Sequence, residues 1–288
     1  MSEVIQFRRV TILGTGLIGG SFALALRSHF PEIEITGYDR AETLERAKSS
    51  GAIHRSESDL TAAVRSADLV YVALPIVPAI ESLAAIASSA PPHALVTDAC
   101  STKSLICRAA REHFKSKSFF LGGHPMAGKE ASGVENADAE LFRGTCYAFI
   151  ALGEDTDPRV RAFAALVRKI GAEPVWCDAD THDWAAAIVS HLPQLLSVAL
   201  ARVVQDETDE TGLPLSLAGS GLRDALRLAA SPYAVWRDIC LTNKDNISHA
   251  LDRLAQSIDH LRTHLASREL EQEFLASNEV YKTLHKLK

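Results

Sequence analysis

The 288-residue sequence lacks the marks of several protein classes. It has no run of basic residues, and 30 Lys and Arg stand against 36 Asp and Glu, a formal net charge of −6. That balance argues against a nucleic-acid partner. The opening MSEVIQFRRVTILG is too short and too polar for a secretory signal. Apolar runs are of strand length and interrupted, so no membrane span is expected. The cysteines (Cys100, Cys107, Cys146, Cys177 and Cys240) are odd in number and form no C-x-x-C pair. A disulfide framework or a zinc site is therefore not expected, and the thiols read as reduced, in a cytoplasmic protein. His260 and His264 have the i,i+4 spacing of helical metal ligands but lack the acid of H-E-x-x-H. A solvated helix face, and no metal, is the expectation there. No internal repeat, low-complexity tract or flexible linker is visible.

What is present is a globular composition, 47% hydrophobic and 23% charged, with length for about two domains. The stretch RRVTILGTGLIGGSFALALRSHF reads as a strand, a glycine turn and a helix. Gly14 suits the tight turn, Gly16 lets backbone approach a pyrophosphate, and Gly19 lets the helix pack on the strand. The helix N-terminus then offers free N–H groups and its positive dipole end to phosphates. A second strand, EITGYD, ends at Asp39, about 20 residues on, where an acid binds ribose hydroxyls and disfavours a 2′-phosphate. This points to NAD. Arg40 follows directly and leaves NADP open.

Further strands are expected at 67–75, 93–101, 118–125, 146–153 and 172–178, with helices between them. That alternation predicts an α/β fold: an N-terminal Rossmann-like, doubly wound, mostly parallel sheet over residues 1–178. From 179 to 288 only helical periodicity is left, an all-α domain for substrate and dimerisation. Ligands of such sheets bind at the carboxyl ends of the strands. Ser101, and His124 in LGGHPMAG, are both expected just past strand ends, on that edge. In the helical half, Pro193 in SHLPQ implies a kink or break that can aim His191 at the cleft. Arg223 and Arg227 follow a GSG that suggests a helix start near a ligand.

The chemistry these residues allow is hydride transfer from a carbon bearing a hydroxyl, with a neutral His124 taking the proton. Arginine is suited to a substrate carboxylate. The stretches GTGLIGGS, DACSTK, GGHPMAGKEASGVENADAELF, SHLPQ and GSGLRDALRLAASPYAVWRDICLTNKDN together resemble the prephenate/arogenate (cyclohexadienyl) dehydrogenase family of tyrosine biosynthesis, over nearly the whole length. The resemblance implies oxidative decarboxylation of a cyclohexadienyl substrate by a homodimer joined through the helical domain. It implies that His124 takes the 4-hydroxyl proton and that Ser101 contacts the same hydroxyl and the nicotinamide. It places His191, Arg227, Arg223 and Glu130 at the substrate, with Arg223 and Asp224 reaching from the partner subunit and Glu130 in a gating ion pair. Cofactor contacts are expected from Gly14, Gly16, Leu17, Ile18, Gly19, Asp39, Arg40, Leu74, Pro75 and Ser101. The wording GLRDALRLA departs from the family's usual aromatic residues and leaves the pocket's shape open, and with it the choice between prephenate and arogenate. Two rival readings share the nucleotide domain. A β-hydroxyacid dehydrogenase would use a lysine, for which Lys244 is the candidate. A redox sensor would need neither base nor arginines.

Overall fold

Eight strands form one sheet: β1 (Arg9–Leu13), β2 (Glu34–Tyr38), β3 (Arg55–Glu57), β4 (Leu69–Val72), β5 (Leu95–Asp98), β6 (Phe119–Pro125), β7 (Cys146–Ala151) and β8 (Glu173–Trp176). Their order is β3-β2-β1-β4-β5-β6-β7-β8. This computed structural model describes residues 7–114, 118–152 and 157–286. The expected end of the seventh strand at 153 lies outside them. The helices of this half are α1 (Leu17–His29), α2 (Ala41–Ser49), α3 (Leu60–Val64), α4 (Ile76–Ser89), α5 (Ser104–His113) and α6 (Pro158–Lys169).

The strands β1, β4 and β5 are buried on both faces because helices cover both. Val10 and Ile12 join one core with α1 and α6, while Leu13 joins a second with α3, α4 and α5. The first core is built on Phe22 of α1, stacked 3.9 Å from Tyr71 of β4. Strand order reverses between β1 and β4, which opens the ligand crevice at their carboxyl ends.

Two features depart from the sequence reading. β3 has no apolar pattern to betray it, being a three-residue, mostly exposed edge strand. β7 runs antiparallel to β6, so the sheet is mostly parallel, as expected. That pairing lengthens β6 to Pro125, with His124 opposite Ala148, while β5 stops pairing at Thr97–Leu121. His124 therefore sits within the strand expected at 118–125, which overshoots its neighbour β5, rather than just past a strand end.

The second half is helical: α7 (Ala179–Ala186), α8 (Leu192–Asp206), α9 (Leu213–Ser216), α10 (Ser220–Leu226), α11 (Tyr233–Thr242), α12 (Lys244–Thr263) and α13 (Glu269–Lys286). Pro193 does not break the chain. A π turn over Ala187–His191 absorbs the lost hydrogen bond and joins α7 and α8 into one helix, Ala179–Asp206. That corrects the expectation of short apolar runs. By length and composition this helix suffices to cross a membrane, and 22% of its apolar window is buried. Trp184, Val189, Val198 and Val203 leave an apolar surface on it. Polar bonds described below pin its start to the sheet.

The three glycines of the turn have separable roles. Gly14 has φ +91°, and a Cβ there would lie 2.5 Å from the Ala73 carbonyl oxygen. A Cβ at Gly19 would lie 1.9 Å from the Gly14 carbonyl oxygen. A Cβ at Gly16 would meet nothing within 4 Å. Gly19→Ala is therefore expected to cost about 3 kcal/mol or more of stability by overpacking. Gly16→Ala is expected to change stability by under about 0.5 kcal/mol while weakening NAD binding about 10-fold by closing the backbone's approach to pyrophosphate. Chemical denaturation and NAD titration of both variants check this, and equal losses of stability would contradict it.

Candidate active site

The dinucleotide end is preformed. Gly16 caps α1 without a side-chain hydrogen bond, so its first N–H groups point free into the crevice. The Asp39 carboxylate accepts from Thr15 N at 2.8 Å and from Arg40 N at 2.7 Å, which aims it at the same crevice. Leu74 and Pro75 follow β4, and Pro75 caps α4. The open space at Gly16, the uncapped helix start and the oriented acid fit a dinucleotide. Leu17 and Ile18 form the first turn of α1. Arg40 is exposed.

Beyond the crevice lies a buried polar cluster. His124 Nδ1 is 2.9 Å from His182 Nε2, and His182 Nδ1 is 2.9 Å from the Asp183 carboxylate. The Asp183 carboxylate also accepts from the backbone N–H groups of Lys103 (2.6 Å) and Ser104 (2.8 Å), at the start of α5. His124 is 8% exposed, His182 5% and Asp183 1%. Beneath them the Lys103 ammonium, fully buried, pairs with Asp98 and donates to the Gly123 carbonyl at 2.6 Å. Asp98 in turn accepts from Gly123 N and Cys100 N, both at 3.0 Å. Burial alone would lower the Lys103 pKa, but Asp98 beside it holds it raised. The lysine thus fixes the backbone that carries His124.

His191 sits 1% exposed on the π turn. Asn243 donates from Nδ2 to the Asp183 carbonyl (2.7 Å) and lies 3.2 Å from His191 Nδ1. Its Oδ1 accepts from Asn246 at 2.8 Å, which fixes the amide's orientation. His191 Nδ1 is therefore an acceptor, and the ring proton is on Nε2. That Nε2 is buried with no partner among the described residues. It is a donor awaiting an acceptor. His124 Nε2, by contrast, makes no hydrogen bond among the described residues yet is not among the sealed polar atoms.

Both rings are held neutral. Burial, then the neighbouring His182, Lys103 and His191, push the His124 pKa well below 6.5. Burial brings His191 down to about 4, with Asp183 opposing and His182 adding. Burial would raise the Asp183 pKa, but hydrogen bonds from His182, Ser104 and Lys103 outweigh it and keep it low.

The remaining predicted residues divide. Glu130 and Arg227 form an ion pair that joins the loop after β6 to the end of α10. That loop rests on α1, where Asp138 N donates to Ser21 Oγ at 2.9 Å. Ser101 is half-buried past β5, and no hydrogen bond joins it to His124. Arg223 and Asp224 are exposed on α10 and apart from the histidine cluster. His260 and His264 lie 3.4 Å from Glu273 and 2.7 Å from Glu269, respectively. Sequence reasoning missed His182, Asp183, Lys103 and Asn243. For His182, Asp183 and Asn243 the signal was available as polar residues in apolar helical surroundings, in THDW and TNKDN, but a helix start is normally polar for capping reasons alone.

The family description "Prephenate dehydrogenase, nucleotide-binding domain" matches residues 22–175, and "Prephenate dehydrogenase, dimerization domain" matches 178–278. The prephenate dehydrogenase of Bacillus subtilis is 33% identical over 268 residues, covering 92% of this chain and 72% of its own. The cyclohexadienyl dehydrogenase of Zymomonas mobilis is 29% identical, covering 91% and 90%. The Aquifex aeolicus prephenate dehydrogenase, solved in complex with hydroxyphenyl propionate and NAD+, superposes with a TM-score of 0.87 at 28% identity, covering 99% and 100%. The chain belongs to the prephenate dehydrogenase family and is an NAD(P)-dependent dehydrogenase.

Proposed function

We propose that this protein oxidatively decarboxylates prephenate to 4-hydroxyphenylpyruvate, arogenate to tyrosine, or both, with His124 as the base. The observation that carries this is the His124 ring: neutral, anchored through Nδ1 and open at Nε2, beside a preformed dinucleotide crevice. NAD, when bound, supplies the hydride acceptor. His124 Nε2 takes the proton of the substrate's 4-hydroxyl as hydride leaves C4. The ring carboxylate then leaves as carbon dioxide. Its bonding electrons complete the aromatic ring, and the oxygen regains a proton as the phenol.

Other residues bind and orient. The His191 Nε2–H, unpartnered in its buried position, donates to an oxygen of the substrate. Arg227 takes a substrate carboxylate by displacing Glu130, whose pairing with it supports a gate between loop and helix. Ser101, past β5, lies on the edge where hydroxyl and nicotinamide meet. Gly14, Gly16, Leu17, Ile18, Gly19, Asp39, Arg40, Leu74 and Pro75 line the cofactor's side. The two domains divide near residue 178. The protein works in the cytoplasm as a homodimer through the helical domain. The exposed apolar side chains Trp184, Val189, Val198 and Val203 on the long helix Ala179–Asp206, and Phe274 and Tyr281 on α13, support that pairing. Arg223 and Asp224, exposed on α10, are free to reach a partner's site.

Absorbance at 340 nm, with prephenate or arogenate against NAD or NADP, tests the reading. Turnover is expected, fastest with NAD because the Asp39 carboxylate, held at the crevice, would disfavour a 2′-phosphate. His124→Ala is expected to lower kcat about 10²-fold or more with folding intact. No turnover by folded protein in any mixture, or a wild-type rate in the variant, would overturn the assignment.

The depressed pKa values set the acid behaviour. The groups facing His124 are His182, Lys103 and His191, with Asp98 and Asp183 behind them. kcat/KM is expected to stay flat as pH falls through 6.5 and to decline only below that, when Nε2 is protonated. For stability the sign is the same. Between 6.5 and about 4 the unfolded chain binds a proton that folded His191 refuses, so stability falls as pH drops, by about 3 kcal/mol at the lower end. His191→Leu should flatten that slope in denaturation curves. An unchanged slope would contradict the buried neutral ring.

A further inference from the structure

The structure assigns a positioning role to His182 and Asp183: they fix the protonation pattern of the His124 ring for the proposed proton transfer. This rests on the reading of His124 as the base.

The chain of contacts leaves little freedom. Asp183 holds both carboxylate oxygens against donors: Lys103 N and His182 Nδ1 on one, Ser104 N on the other. An ionised carboxylate only accepts, so His182 Nδ1 must carry the proton. With that single ring proton on Nδ1, the remaining nitrogen of His182, Nε2, is a lone pair. It faces His124 Nδ1 at 2.9 Å, and two lone pairs cannot share that contact. His124 Nδ1 must therefore carry its ring's proton, which leaves Nε2 bare on the open side. The tautomer needed for proton abstraction is thus dictated two residues away, by a carboxylate at a helix start. Once His124 Nε2 has taken the substrate's proton, the Nδ1–H of the resulting imidazolium stays bonded to His182. The Asp183 charge lies behind it. No second proton moves.

The backbone supports this reading. α7 begins at Ala179, and its own cap is already supplied by Asp178, which accepts from Asp180 N and Thr181 N. Asp183 is therefore not spent on its own helix. It reaches across to α5, and its carbonyl is taken by Asn243. The histidine before it is thereby held from both halves of the protein. His182 and His124 are 66° apart in plane with centroids 5.1 Å apart, an edge-on contact suited to a nitrogen-to-nitrogen bond rather than to stacking.

The test is a set of variants read by kcat and KM separately. His182→Leu removes the acceptor, and kcat is expected to fall at least about 10-fold with the KM for substrate and for NAD within about 2-fold. His182→Gln restores a carbonyl acceptor to His124 and is expected to recover most of the loss. Asp183→Asn removes the charge behind His182; its Oδ1 keeps Lys103 N and His182 Nδ1 while its amide faces Ser104 N, and kcat is expected to fall about 10-fold or more. Asp183→Asn also disturbs the start of α5, so it is interpreted only with unchanged NAD binding and thermal unfolding. If His182→Leu fails to fold, His182→Gln beside His182→Met, similar in bulk but only a weak acceptor, decides between acceptor and bulk. Either variant equal to the other, or His182→Leu with wild-type kcat, overturns the positioning role. If His124→Ala is itself active, the base assignment fails instead, which separates the two claims.

Discussion

The Asp183 carboxylate is the constraint on which the site depends. It is 1% exposed, and its charge is compensated by two backbone N–H groups of α5 and one imidazole. Burying an ion without such partners would cost several kcal/mol. Satisfying it requires the start of α5, which follows β5, to meet α7 of the helical half at one fixed point. Thr102 and Thr242 join at 2.8 Å nearby, and Asp238 accepts from Val77 N at 3.2 Å at the start of α4. The two halves are thus locked by polar bonds at the carboxyl edge of the sheet, where a doubly wound fold binds its ligands.

A second buried charge works from below. Lys103 and Asp98 are both sealed, and each also holds Gly123, through its carbonyl and its N–H, respectively. A Cβ at Gly123 would lie 2.4 Å from the Asp98 carbonyl oxygen, so the strand must approach closely there. This answers why one imidazole is set among glycines: the backbone before His124 is clamped by an ion pair with no room for a side chain. The GGHP stretch is a strand held still, and its immobility is what a base at a hydride-transfer site needs.

Much of this was legible in the sequence because local physics and global fold agree. The glycine turn, Asp39 and the apolar strands β1, β4 and β5 need no tertiary information. The β3 strand did, since its residues follow no alternation and only pairing with β2 makes it one. The extent of β6 matches the expected strand at 118–125; what the sequence left out is that His124 lies within it, paired to the antiparallel β7, rather than just past its end. Pro193 was read correctly as a strain on the helix, but its relief by a π turn rather than a break is a matter of packing. Lys103 and Asp183 were passed over because a lysine or aspartate beside a helix start is ordinarily a surface residue. Their burial arises only when the two halves meet. Arg223, chosen from its GSG setting, is exposed on a single chain.

The account is that distant carboxylates and amides set which nitrogen of each histidine carries a proton: Nδ1 on His124, Nε2 on His191. Nitrogen-15 spectra of the histidine side chains, assigned with His124→Ala and His191→Leu, observe this directly at neutral pH. The account predicts a bare Nε2 on His124 and a bare Nδ1 on His191, both rings neutral. A proton on Nε2 of His124, or a doubly protonated ring there at neutral pH, would contradict it.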